Sequence, residues 1–341
     1  MRACWLSVLF LVVISFKVQA QDPQFSQYYA SSQYLNPAFT GNAVDYRFMV
    51  HARYQWPGLQ ARFLTQFFAV DRFVEKVNSG VGIMVVNDIM GGDNLRSTDV
   101  HLQYAYQVNT SENSAFRFGL QAGVLNRTLD YSTLIFPDQF VDQGFNGATA
   151  EPQGNERVTS LDLAAGGVFH TRNFWVGTAF HHLNQPNIGF IDDGSTLPLK
   201  GALHMGYRIV LKSYQNLLNI GSFKEIAITP TINFKYQEDF VQTDVGIYAG
   251  YEQVLTGIWY RGIPVRTLEG LIQNNESFVF LVGFKVGSLS FSYSYDFVIS
   301  GLRAEAGGAH ELNLTFVRSP YSNVKKNKVQ KRIPCPTFWS H

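Results

Sequence analysis

Leu289-Ser290-Phe291-Ser292-Tyr293-Ser294-Tyr295-Asp296-Phe297 sets an apolar, mostly aromatic residue at every second position and a serine or aspartate between. Successive side chains of a strand point to opposite faces, so this stretch has one oily face and one hydrated face. The alternation recurs in Phe116, Phe118, Leu120, Ala122, Val124 against Arg117, Gly119, Gln121, Gly123. It recurs again in Val100, Leu102, Tyr104, Tyr106 against Asp99, His101, Gln103. A closed sheet with lipid outside and a polar lining inside satisfies both faces at once. The expected fold is all-β, a transmembrane antiparallel β-barrel.

Composition agrees. Of 341 residues, 46% are hydrophobic and 15% aromatic, but only 16% are charged, against ~25% in soluble domains. After the first residues no apolar run approaches the ~20 residues of a spanning helix. The one long apolar run, Cys4 to Phe16, follows Met1-Arg2 and precedes Val18-Gln19-Ala20. Those parts make residues 1–20 a secretory signal peptide with cleavage expected before Gln21. The run is short for an anchor helix, and Cys4 is far from the cleavage point, which disfavours a lipoprotein. Cys335 is then the only cysteine, so no intrachain disulfide is expected.

Alternating runs number about fourteen. They lie near 45–54, 62–73, 80–88, 95–107, 115–127, 159–170, 173–183, 200–212, 224–236, 241–252, 255–262, 277–286, 289–298 and 309–318. Connections on one side are mostly long (Thr128–Val158, Asn184–Leu199, Ile263–Glu276, Ile299–Gly308). Those on the other include Thr171–Asn173 and Gly287–Ser288. Long outer loops and short periplasmic turns are the asymmetry of an outer-membrane barrel. Ser213–Phe223 and Gln237–Phe240 depart from it. Pro230, inside a run, predicts a bulge or a boundary. A soluble β-sandwich also alternates but leaves the aromatic faces unexplained.

Two segments flank the barrel at 45–318. Residues 21–44 carry Phe25, Tyr28, Tyr29, Tyr34 and Phe39 without alternation; so many aromatics predict a packed plug or a cover over the mouth. Residues 319–341 form a basic tail. With Arg2 and Lys17 removed the chain is formally −1, split as +6 from Arg318 onward and about −7 in the body. An acidic body excludes nucleic acid as its partner. Lys325, Lys326 and Lys328 make the tail a candidate contact for an acidic periplasmic partner or for the inner face of the outer membrane.

Chemistry is not signposted. His181 and His182 are adjacent on a strand and should point to opposite faces; no histidine has zinc spacing. Gly91-Gly92-Asp93-Asn94 reads as a tight turn, and Gly166-Gly167 opens no helix. No motif selects a nucleophile and base, so the chain reads as a non-enzyme without catalytic residues, metal or cofactor. A passive channel or hydrophobic-solute transporter stays open, with inward Asp99, Arg117, Gln121 and Asp244 as its lining.

Asp22-Pro23-Gln24-Phe25-Ser26-Gln27-Tyr28, followed by Tyr34-Leu35-Asn36-Pro37-Ala38-Phe39-Thr40-Gly41, resembles the opening of the PorP/SprF family of outer-membrane proteins. Arg53-Tyr54-Gln55-Trp56-Pro57-Gly58-Leu59, His181-His182-Leu183-Asn184-Gln185-Pro186, Ser294-Tyr295-Asp296-Phe297 with His310-Glu311-Leu312, and Cys335-Pro336-Thr337-Phe338 are similar to further family stretches. The resemblance implies a barrel of the fatty-acid-transporter type and a place in type IX secretion and gliding. It also implies partners among secreted cargo proteins and other secretion components. It carries Asp22, Pro23, Phe25, Tyr28, Asn36, Pro37, Gly41, Tyr54, Trp56 and Pro57 as family-motif, candidate partner-binding positions.

Overall fold

The structure, a computed structural model, describes residues 22–43, 45–59, 63–141, 144–145, 147, 149–151, 154–191, 194–215, 223–262, 277–299 and 307–318. The expected leader and the basic tail with Lys325, Lys326 and Lys328 lie outside the described residues.

Fourteen antiparallel strands close on themselves. They are β1 (Arg47–Gln55), β2 (Phe63–Val74), β3 (Ser79–Met90), β4 (Leu95–Asn109), β5 (Ser114–Leu129), β6 (Arg157–Thr171) and β7 (Phe174–His181). The interrupted β8 (Lys200–Tyr207 and Ile209–Gln215) is followed by β9 (Phe223–Gln237), β10 (Phe240–Tyr251) and β11 (Val254–Gly262). The last three are β12 (Ser277–Val286), β13 (Leu289–Val298) and β14 (Ala309–Val317). Each strand pairs with its sequence neighbours, and β1 pairs with β14 from Arg47↔Val317 to Gln55↔Ala309. Because the sheet closes on itself, every described barrel strand has a partner on both sides over at least part of its length, which is what a lipid environment demands.

The two faces separate as the two-residue period requires. Leu102, Phe118 and Leu120 are 65%, 55% and 62% exposed, whereas Arg117 and Gln121, next to Phe118 and Leu120 in sequence, are buried. Phe291 and Phe297 are exposed, and Ser292, Ser294 and Asp296 are buried. Here the inside of the protein is polar and the outside oily, because hydrocarbon takes the place of a second protein layer.

Pro230 lies inside β9 and leaves its register with β10 unbroken at Ile247. On the other side β8 is interrupted between Tyr207 and Ile209, opposite Pro230, and a register shift follows between Val210 and Lys212. A proline has no N–H to give the ladder; within the interruption Arg208 donates its N–H across the other edge, to Asn173 O at 2.7 Å.

One end of the barrel carries tight turns, such as Gly287-Ser288 with Gly287 at φ 58°. The opposite end carries the longer connections between Leu129 and Arg157 and between His181 and Lys200. Glu238-Asp239 is an exception, a two-residue turn on the long-loop end.

Candidate functional site

The lumen holds this chain's own N-terminal segment. Asp22 meets Lys200 and His182 at the long-loop end, and Gly41 meets Asp71 near the short-turn end. Between them run a single helical turn (Ser32–Leu35) and a 3-10 turn (Pro37–Phe39). Asn36 starts the 3-10 turn by accepting from Ala38 N at 2.9 Å, and Pro37 takes the first turn, where its missing N–H costs nothing.

Four groups of contacts fix the segment. At the long-loop end, Asp22 Oδ2 lies 2.8 Å from His182 Nε2 and 2.9 Å from Lys200 Nζ. His182 Nδ1 lies 2.8 Å from Asp162. Burial works to raise the Asp22 carboxyl, but His182 and Lys200 override it and hold it well below the usual range. Burial likewise works to lower His182, but Asp22 and Asp162 raise it to about 9. The expectation that His181 and His182 face opposite ways fails. Both are buried, because His182 leaves the strand in a left-handed conformation (φ 58°) and turns inward.

Next, Ser26 N and Gln27 N donate to the two carboxylate oxygens of Glu311 at 2.6 and 2.9 Å, and Ser26 Oγ donates to Asp296 at 2.6 Å. Arg53 bonds both acids from the neighbouring wall, and Arg261 bridges Asp296 to Asp244 at 3.0 and 2.9 Å. Charge-assisted bonds of this kind satisfy main-chain donors that burial against the barrel wall would otherwise leave unpaired.

Farther along, Asn36 Nδ2 donates to Gly167 O and Thr178 O at 3.3 and 3.0 Å and lies 3.1 Å from His204 Nε2. The Asn36 side chain comes so close to the wall that a Cβ on Gly166 would stand 2.2 Å from its Oδ1. On Gly119 it would stand 2.2 Å from Ala38 N. Last, Arg47 grips Asp71 with two bonds of 2.9 and 2.7 Å, and Gly41 N donates to the same carboxylate at 2.5 Å. Arg117 donates to Ala38 O at 2.8 Å and Thr40 O at 2.5 Å.

The motif positions therefore divide. Phe25 packs on His51, Phe67 and Tyr34. Tyr28 reaches Thr231 at 3.1 Å, and Pro23 O accepts from Tyr34 at 2.7 Å. Asp22, Asn36, Pro37 and Gly41 are engaged inside the barrel as described. Tyr54 is half-buried and alternates away from the inward Arg53 and Gln55 on β1. Trp56 (φ 57°) turns over the long-loop mouth with its ring 5.3 Å from Phe63, and Pro57 follows it. Residues that sequence reasoning did not single out (Arg47, Asp71, Lys200, Lys235, Arg261) hold the segment or its partners. Their signal was an ionisable side chain at an inward position of a membrane strand, where charge is rare unless it is paired.

Above the segment, at the long-loop end, a cavity of about 270 Å³ remains. Its walls include Asp22, Gln24, Arg53, Trp56, Phe63, Asp88, Arg261 and Asp296.

Among solved structures, the chain resembles a FadL homologue of Pseudomonas aeruginosa at 13% identity and a TM-score of 0.35, covering 80% of this chain and 88% of that one. It also resembles a deletion mutant of TodX, a monoaromatic hydrocarbon channel, at 11% identity and a TM-score of 0.41, covering 83% and 92%. A Rhodopseudomonas blastica porin mutant is similar at 9% identity and a TM-score of 0.32, covering 80% and 99%. The likeness is one of barrel architecture alone. No curated protein matches the sequence. The family described as type IX secretion system membrane protein PorP/SprF matches residues 17–316, so the chain belongs to the PorP/SprF family.

Proposed function

We propose that this outer-membrane barrel receives or retains specific exported cargo proteins for the type IX secretion system and does not act as a conduit. The observation that carries this reading is the lumen. The chain's own segment fills it from Asp22 to Gly41, and a cavity of mixed lining is left at the long-loop end. A solute path would have to displace buried ion pairs and main-chain hydrogen bonds together, which is costly. Loops on a rigid scaffold are where recognition concentrates, and Trp56 and Pro57 stand beside that mouth. Export by the leader at residues 1–20, a periplasmic contact through Lys325, Lys326 and Lys328, and a part in gliding complete the reading. Deleting the gene is expected to mislocalise one or a few secreted proteins while the rest of the exported set is unchanged. An exported proteome identical to the parent strain's, measured by mass spectrometry of surface and medium fractions, would overturn it.

A further inference from the structure

The cavity above the segment is lined by charges of both signs, but they are not equally satisfied. The cations are committed. Arg53 gives Nε and Nη2 to Gln55 Oε1 at 3.1 and 2.9 Å and Nη1 to Ser26, Asp296 and Glu311. Arg261 gives Nε to Asp244 at 2.9 Å and Nη1 to Asp296 at 3.0 Å.

The acids keep capacity. Asp296 accepts its bonds on Oδ2, and its Oδ1 has no hydrogen-bond partner. Asp88, only 5% exposed, accepts a single 2.6 Å bond from the Thr65 hydroxyl. No described Lys, Arg or His nitrogen lies within 4.0 Å of its carboxylate. A carboxylate nearly out of water, whose positive neighbour Arg127 acts on it only from beyond ion-pair distance, gains when a cation arrives in contact. Beside it, the edge-to-face pair Trp56–Phe63 offers an aromatic wall of the kind cations favour. At about 270 Å³, the space falls just below the roughly 300–1,000 Å³ of small-molecule pockets. It suits one long side chain better than a folded domain.

We infer that this cavity seats the cationic side chain, arginine or lysine, of an extended peptide presented from the long-loop side. Asp88 is its counter-ion, and Trp56 and Phe63 form its wall. The choice of a peptide rests on the receiving role proposed above; the preference for positive charge rests on the cavity alone.

The test titrates the purified full chain in detergent, by calorimetry, with acetyl-Gly-Arg-Gly-amide and with the same peptide carrying citrulline, the neutral isostere of arginine. The arginine peptide is expected to bind at least about tenfold more tightly, and Asp88→Asn to erase the difference. Equal binding of the two peptides, no binding of the arginine peptide, or a ratio untouched by Asp88→Asn would overturn the inference. If the variant does not insert, the two titrations of the unmodified protein decide alone. Free argininamide is expected to bind less well than the peptide; equal affinity would overturn the peptide assignment. A positive arginine-to-citrulline ratio with an unchanged exported proteome in the deletion strain would sink the cargo reading and leave the cation seat standing. The opposite pair of results would do the reverse.

Discussion

The two ends of the lumen are built on opposite terms. Toward the short-turn end, main chain lies on main chain: a Cβ added to Gly80 would stand 2.0 Å from Thr40 O, and one added to Gly119 would stand 2.2 Å from Ala38 N. Toward the long-loop end the same lumen keeps an empty space and a carboxylate, Asp88, with no described cation in contact. Contact as close as the first leaves no room even for a methyl group, whereas the second leaves room for a guest. A wall this asymmetric suits a vessel closed below and open above.

The most damaging test removes the seal. Without Asp22–Gly41, the Arg47–Asp71 and Arg53–Asp296–Glu311 groups still have one another, and water would hydrate them as it does a porin lining. The barrel is expected to insert and to change from near-silent to clearly conducting in planar bilayers. Equal conductance before and after deletion would mean that the segment seals nothing. A smaller effect is expected from Asp71→Asn. This variant strips Arg47 of its buried two-bond partner and weakens the Gly41 tether, and should cost about 3 kcal/mol. Heat-modifiable gel mobility or denaturant unfolding in detergent would register it; a loss under about 1 kcal/mol would show that the glycine contacts alone hold this end.

The mildest perturbation is pH, acting on the opposite end. His182 is raised, so its stabilising charge is complete below its ordinary value of ~6.5 and is lost as pH climbs through about 9. Asp22 is lowered, so its contribution is present above the ordinary carboxylate value of ~3.9 and fades only as pH falls below that range. Hydrogen-exchange protection over residues 24–27, corrected for intrinsic rates, should therefore drop between about pH 8 and 10 while residues 38–41 hold. A parallel drop at both places would remove the distinction between the ends.

Much of the wall was legible, because a period of two is a local property. Leu289–Phe297 shows its oily and polar faces before any partner strand is known, and each of the fourteen expected runs overlaps one observed strand. The bulge or boundary expected at Pro230 is absent from its own strand, and the irregularity lies on the adjacent one, where no residue announces it. His182 was misplaced because alternation was carried one residue beyond the strand's end. The clamps were hidden for a different reason. Ser26 and Asp296 are 270 residues apart in sequence, and periodicity says which side chains face inward, not which of them meet across the lumen. Glycine offered the missing hint: Gly80 and Gly119 surrender a side chain on an otherwise filled wall where another backbone must pass.

Glu311 sits on the final strand, Arg53 and His51 on the first, and all three gather around Ser26 and Gln27 or the acid that binds them. The seam that turns a ribbon into a tube is therefore knotted by residues synthesised ahead of either partner. Biogenesis acquires a built-in order from this: the earliest part of the chain has no finished berth until the last hairpin arrives, so stoppering and circularisation are completed in a single event.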